Sequence, residues 1–155
     1  MSYLKANIIK PLTFVSAGHF TADNSWQHIE RNIDNFEIII CTRGPVYIQQ
    51  DLDRYVLNEQ DLLLLLPGSV HKGFAASEKG TSFYWFHFDC EEQAYRVIDR
   101  REAESEISLY QNNPFFGGLG ADVLLPVYLE KMHLDRISIL VHQLLHLSQS
   151  HYYTK

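Results

Sequence analysis

The chain has 155 residues, enough for one domain with a buried core, and at 46% hydrophobic and 21% charged it has the composition of a globular protein. Its formal net charge is −6, and apart from Arg100-Arg101 the basic residues are scattered, so no basic stripe is available to hold DNA or RNA by itself. No apolar run approaches the roughly 20 residues that cross a membrane. The N-terminal MSYLKANIIKPLTF lacks the apolar stretch and cleavage site of a signal peptide, and Cys41 and Cys90 do not make a disulfide framework. A cytoplasmic protein with no membrane partner is expected.

Up to Cys90 the chain reads as short strands separated by turns. Leu12 to Val15 is closed by Ser16-Ala17-Gly18, and Phe36 to Thr42 is ended by Arg43-Gly44-Pro45. Val46 to Gln50 and Arg54 to Leu57 form a hairpin around Asp51-Leu52-Asp53. Leu62 to Leu66 lies between the Asn58 to Asp61 turn and Pro67-Gly68, and Thr81 to Phe88 is a strongly aromatic strand. Turns at this spacing, about every 8 to 12 residues, predict an all-β sandwich or barrel. The leucine run is short and bounded by turns, which predicts a strand buried on both faces, although leucine is not a favoured strand residue.

Beyond Cys90 the texture changes. Glu91 to Glu106 is charged, with Ala94, Val97 and Ile98 at helical spacing, and predicts a surface helix. Ile107 to Tyr110 reads as a strand and Gln111 to Gly120 as a loop. The loop's glycines lack both the GxGxxG order and the following Lys-Ser/Thr of a phosphate cradle. From Asp135 to about Tyr152, Ile137, Leu140, Val141, Leu144 and Leu145 fall on one helical stripe, with Asp135 near the end favoured by the helix dipole. The stripe fits either packing on the domain's own barrel or the seam of a homodimer. The expected organisation is a barrel over residues 1–110 and a loop with a helical arm over 111–155.

Catalytic signatures are missing. The sequence has no Gly-x-Ser-x-Gly, no His-Glu-x-x-His, no Cys-x-x-Cys and no clear Ser/His/Asp constellation, so no catalytic residue and no cofactor are expected. His142 and His146 are spaced like zinc ligands, but with His133 and His151 they read as the polar flank of the amphipathic helix. What remains is a binding pocket in a barrel lumen. Its expected lining is Arg31, Glu37, His71, Trp85 and His87; Trp85 and His87 share parity on one strand and so face one side. A tryptophan face would support the C–H groups of a sugar ring while Arg, Glu and His take hydroxyls. Each also has a structural reading: Trp85 as core, His71 as a cap of the Pro-Gly turn, Arg31 in an ion pair with Asp34.

Pro67-Gly68-x-x-His71 after a buried strand resembles a phrase of the cupin barrel. In metal-binding cupins a His-x-His pair and a Glu on an earlier strand join that last histidine around the metal. Glu37 and His71 match two of the four positions, but Ile29 to Phe36 holds no histidine and His28 is out of register, so no metal is expected. A larger set of phrases resembles the N-terminal effector domain of AraC/XylS-type transcriptional regulators. These are Arg31-x-x-Asp34-Asn35-Phe36-Glu37-Ile38-Ile39, Gly44 with Val46 to Gln50, Asp61 through Pro67-Gly68-x-x-His71, Trp85-Phe86-His87-Phe88, and Leu125-Pro126 before the helix. The resemblance spans roughly residues 10–150. It implies a mainly β fold, a cupin-type double-stranded β-helix (jelly-roll barrel) followed by C-terminal α-helices. It also implies a small effector, usually a saccharide, homodimerisation through the helices, and DNA contact only through a C-terminal helix-turn-helix domain with no counterpart in this sequence. The alternative is a small metal-dependent cupin enzyme of the sugar isomerase or dioxygenase type.

Overall fold

The structure, a computed structural model, describes residues 1–112 and 121–149. In chain order the first strands are Ser2–Asn7 (β1), Leu12–Thr21 (β2), Arg31–Asn32 (β3), Phe36–Arg43 (β4), Val46–Gln50 (β5) and Asp53–Leu57 (β6). Leu62–Leu65 (β7), Val70–Gly73 (β8), Ser82–Cys90 (β9) and Tyr95–Asp99 (β10) follow. The helix Arg100–Asn112 (α1), the strands Asp122–Pro126 (β11) and Tyr128–Leu129 (β12), and the helix Leu134–Gln149 (α2) complete it.

Three antiparallel sheets result, with strand orders β12-β7-β4-β9-β2, β3-β8-β5-β6 and β10-β1-β11. The first two face each other, and their inner side chains make one core: Ile39, Cys41, Leu63, Leu65 and Phe83 from one sheet, Val46, Ile48 and Leu57 from the other. This is the barrel expected from the turn spacing.

The five-stranded sheet is covered on its outer face as well. Leu4 and Ala6 of β1 pack on Phe36 and Leu64, and Val141 of α2 packs on Ala17, Ile40 and Phe86. Strand alternation therefore sends Phe36, Ile38 and Ile40 outward and Glu37, Ile39 and Cys41 inward, and both sets are buried or partly buried. The leucine run has the same cause. Leu63 and Leu65 enter the barrel core and Leu64 the outer layer, all at 1% exposure or less.

Several elements differ from their sequence reading. β1 has no strong alternation of its own and is recognised only by its partners β10 and β11. β2 continues through the Ser16-Ala17-Gly18 segment to Thr21, because it pairs along β9 almost to its end. The predicted helix over Glu91 to Glu106 is a short 3-10 turn at Glu92–Ala94, then β10, then α1 from Arg100. Pairing of Val97 and Ile98 with Leu4 and Tyr3 overrides their helical spacing. Ile107 to Tyr110, predicted as a strand, lies inside α1. The segment after His71 is strand β8, not only a turn. The strands also do not stop at residue 110, since β11 and β12 join the sheets on β1 and β7. Most of the predicted Gln111 to Gly120 loop, and the predicted helix beyond Gln149, fall outside the described residues.

Candidate functional site

The inward residues of β4 and β9 meet at one end of the barrel. Glu37 sits opposite His87 on β9 and Leu65 on β7, and Ile39 sits opposite Trp85. Across the interior, Arg31 on β3 is paired with His71 on β8. These strands border a cavity of about 270 Å³. One wall is aromatic, formed by Phe20, Trp26, Phe83 and Trp85; the rest is Ile29, His28, Arg31, Glu37 and His87.

Each functional side chain is held by a local device. Trp85 lies over Gly18 on the neighbouring strand β2, where an added Cβ would come within 2.6 Å of the indole Cε2. The ring therefore needs a glycine beneath it. Phe20 sits 4.6 Å from Trp26 and 5.0 Å from Phe83, between ring centroids, which fixes the aromatic wall. His28 is brought in by Gly73 of β8: the Gly73 amide donates to the His28 carbonyl at 2.9 Å, and the Gln27 side chain donates to the Gly73 carbonyl at 2.7 Å. A Cβ on Gly73 would stand 2.7 Å from the His28 nitrogen, so this approach too needs glycine. His87 is oriented by a 2.8 Å hydrogen bond between Nδ1 and Asn35 Oδ1.

At the centre is an unsatisfied polar group. Glu37 is 4% exposed and His71 fully buried, yet Glu37 Oε2 and both ring nitrogens of His71 have no hydrogen-bond partner in the protein. Glu37 Oε2 lies 4.0 Å from His71 Nε2 and 3.7 Å from His87 Nε2. Burial pushes the Glu37 carboxyl up to about 7, against the pull of the Arg31 guanidinium. Burial, with the charges of His28 and Arg31, drives His71 down to about 4. His28 and His87 are also lowered, mainly by burial and further by Arg31. At neutral pH the site therefore holds neutral imidazoles around a carboxyl poised between its two forms.

Four of the five expected pocket residues, Arg31, Glu37, Trp85 and His87, line the cavity, and His71 sits directly behind Glu37. Arg31 makes no ion pair with Asp34 or any other carboxylate among the described residues. His71 is fully buried, and Ser69 of the turn is among the backbone groups that act on its ring. His28, which spacing alone placed out of register, is part of the pocket, its ring edge-on to His71 at 5.2 Å between centroids. The chain around it is not a strand, so strand alternation did not apply. Phe20, Trp26, Ile29 and Phe83 were also missed, although Phe83 shares the strand parity of Trp85 and His87.

Among the described residues no group of three or more His, Cys, Asp or Glu side chains is placed to hold a metal ion. His142 and His146 are exposed, and His142 Nδ1 donates to the Ser138 carbonyl within α2. On that helix Val141 is 5% exposed, and Leu144 and Leu145 are packed on the barrel's outer face. Leu140 is 59% exposed, beside Ile139 at 70%. The Ile137 side chain lies outside the described residues.

The sequence model of the AraC-like ligand binding domain matches residues 13–148. A 76-residue stretch, 49% of this chain, is 32% identical to the uncharacterized HTH-type transcriptional regulator YisR of Bacillus subtilis (strain 168), and that stretch spans 26% of YisR. Among solved structures, the plu4264 protein from Photorhabdus luminescens is similar at 12% identity and a TM-score of 0.36, over 62% of this chain and 70% of that one. A chain from Ralstonia eutropha JMP134 is similar at 15% identity and a TM-score of 0.40, over 52% of this chain and 85% of that one. Both superpositions are loose and neither bears on function.

Proposed function

Because the chain belongs to the family of AraC-like ligand binding domains, we propose that its barrel is the effector-sensing module of a transcription regulator. The effector is a saccharide or a related small polar metabolite, held in the cavity between Trp85 and Glu37. The observation that carries this reading is the unpartnered Glu37 Oε2, buried beside His71 and His87 under an aromatic wall. Leaving a buried polar atom unpaired costs about 1–3 kcal/mol, so a polar ligand that pairs it has free energy to gain. Trp85 offers the flat apolar face, and the exposed Arg31 has no competing ion pair among the described residues.

The sheet supplies a route from pocket to surface. On β9, Trp85 and His87 face the cavity, while Phe86 between them packs on the outer layer with Val141 of α2. A ligand that shifts β9 shifts the seat of the helix. It can do so only to the extent that it binds one arrangement better than the other. The exposed side of α2, with Ile139, Leu140 and Leu147, is then the surface for a second copy. DNA is contacted through a separate helix-turn-helix domain, and the protein works in the cytoplasm.

A melting screen of the chain against monosaccharides tests the reading. A ligand binding only the folded state at about 100 times its dissociation constant adds about 2.7 kcal/mol of stability. The expected result is a shift with one sugar class that disappears in Trp85→Ala. Stoichiometric transition metal that survives dialysis and is lost in His71→Ala would overturn the reading in favour of a cupin enzyme.

A further inference from the structure

Two histidines of the cavity have their tautomers fixed by the groups that hold them. His28 Nδ1 is 2.7 Å from the Ile29 carbonyl oxygen, which can only accept, so Nδ1 carries the hydrogen. His87 Nδ1 is 2.8 Å from Asn35 Oδ1, and with the amide in this orientation the partner is again an acceptor, with the same consequence. A neutral imidazole has one N–H. Burial and the Arg31 charge hold both rings neutral near pH 7. Each ring therefore keeps a bare lone pair at Nε2. That of His87 faces Glu37 Oε2 at 3.7 Å, beyond hydrogen-bond reach, and the carboxyl oxygen has no partner of its own.

Resting on the reading of this cavity as the effector site, we propose that its floor is an array of hydrogen-bond acceptors, His28 Nε2, His87 Nε2 and Oε2 of Glu37 in its ionised form, which selects a cyclic polyol presenting adjacent hydroxyl donors inward. A hydroxyl has one hydrogen and satisfies one acceptor. Two acceptors 3.7 Å apart therefore need two O–H groups on neighbouring carbons. A ligand that turns carbonyl, carboxylate or ether oxygens inward sets lone pair against lone pair and leaves the floor unpaired. An ammonium has the donors, but the Arg31 charge that disfavours imidazolium at His28, His71 and His87 disfavours it as well. Arg31 instead suits an oxygen acceptor on the outward side of the same ring. The aromatic wall takes the ring's C–H face. His71, fully buried behind Glu37, does not touch the ligand and acts as a positioning residue.

The first test needs no ligand. Imidazole ¹⁵N spectra of the labelled chain at pH 7.5, assigned with His28→Gln and His87→Gln, report which nitrogen carries the hydrogen. Both rings are expected as the Nδ1–H tautomer, the minor form of free histidine in water. The second test titrates D-xylose, D-glucose and D-galactose, each beside deoxy analogues lacking one ring hydroxyl. For the sugar that binds, the His87 Nε2 resonance moves, and removal of either inward hydroxyl weakens binding tenfold or more. An Nε2–H tautomer at either ring, or undiminished binding by every deoxy analogue, overturns the acceptor array while leaving the cavity as an effector site. If none of the sugars changes the melting temperature, Trp85 fluorescence or either histidine, the polyol class and the saccharide reading of the cavity fall together.

Discussion

His71 Nε2 stands 4.0 Å from Glu37 Oε2 in the barrel interior, and neither atom is hydrogen-bonded to the protein. A histidine and a carboxyl this close ordinarily exchange a proton and pair as ions. Here burial raises the acid and lowers the base, so the neutral pair is favoured. Arg31 on β3, His87 on β9 and His28 surround the same carboxyl, and none of them relieves it by a hydrogen bond.

That arrangement sets a pH dependence. Glu37 titrates near 7 when folded and near 4.5 when unfolded, so folding takes up a proton between these values and its contribution to stability falls as pH rises through 7. His71, lowered to about 4, and His28 and His87, also lowered, act in the opposite sense, and because their unfolded forms titrate near 6.5 their contribution keeps growing up to about pH 7.5. From pH 6.5 to 8 Glu37 by itself removes roughly 1 kcal/mol, which the three histidines together offset. Urea unfolding across this range is expected to show stability rising with pH by roughly 1 kcal/mol more in Glu37→Gln than in the parent chain.

Gly18 is the seat of Trp85. Gly18→Ala drives a methyl into the indole, and overpacking of this kind costs about 1–3 kcal/mol. A lowered melting temperature together with a shifted tryptophan emission maximum is expected. Gly73→Ala crowds the His28 backbone in the same way and is expected to weaken effector binding without moving the Trp85 emission.

Asp61, 2% exposed, ties three segments together. Its carboxylate accepts from the Asn58 amide at 2.8 Å, the Tyr128 hydroxyl at 3.0 Å and the Lys131 amide at 3.1 Å. Asp61→Ala orphans the two amides, leaves the Tyr128 hydroxyl with only the Val56 carbonyl at 3.4 Å, and is expected to cost about 3 kcal/mol. Amide exchange of β12 against β7 is the readout: release of Tyr128–Leu129 is expected, with the pocket strands still protected.

The two sides of α2 are expected to answer differently to substitution. Val141→Ala removes a buried contact to Ala17, Ile40 and Phe86, and a loss of about 1–2 kcal/mol is expected in chemical denaturation. Leu140→Glu sits on the exposed side and changes monomer stability by less than about 0.5 kcal/mol. If that side carries the homodimer, sedimentation equilibrium is expected to show at least tenfold weaker self-association. Unchanged association in Leu140→Glu would place the seam elsewhere.

Much of this was written locally in the chain. Alternation, turn spacing and the bounded leucine run gave the strands from β4 to β7 and β9, because period and turn chemistry are local properties. The parity of Trp85 and His87 put both on one face, and the structure puts that face in the cavity. By contrast, β1, β10 and β11 carry weak patterns and exist as strands because they pair with one another over the outer face. Helical spacing of Ala94, Val97 and Ile98 misled for that reason.

By itself, then, the sequence determined a barrel of short antiparallel strands and most of the polar groups inside it. Both follow from which side of a strand each residue faces. Tertiary structure alone decided that His28 joins Glu37, His71 and His87. It enters on an irregular segment drawn in by hydrogen bonds to Gly73, and no period reports its direction. Tertiary structure also decided which part of the α2 stripe is spent on the barrel, because helical spacing describes a face but not what covers it. Finally, it decided that Glu37 is left without a partner. That depends on how near five separate segments approach one carboxyl, a distance that no local pattern in the chain encodes.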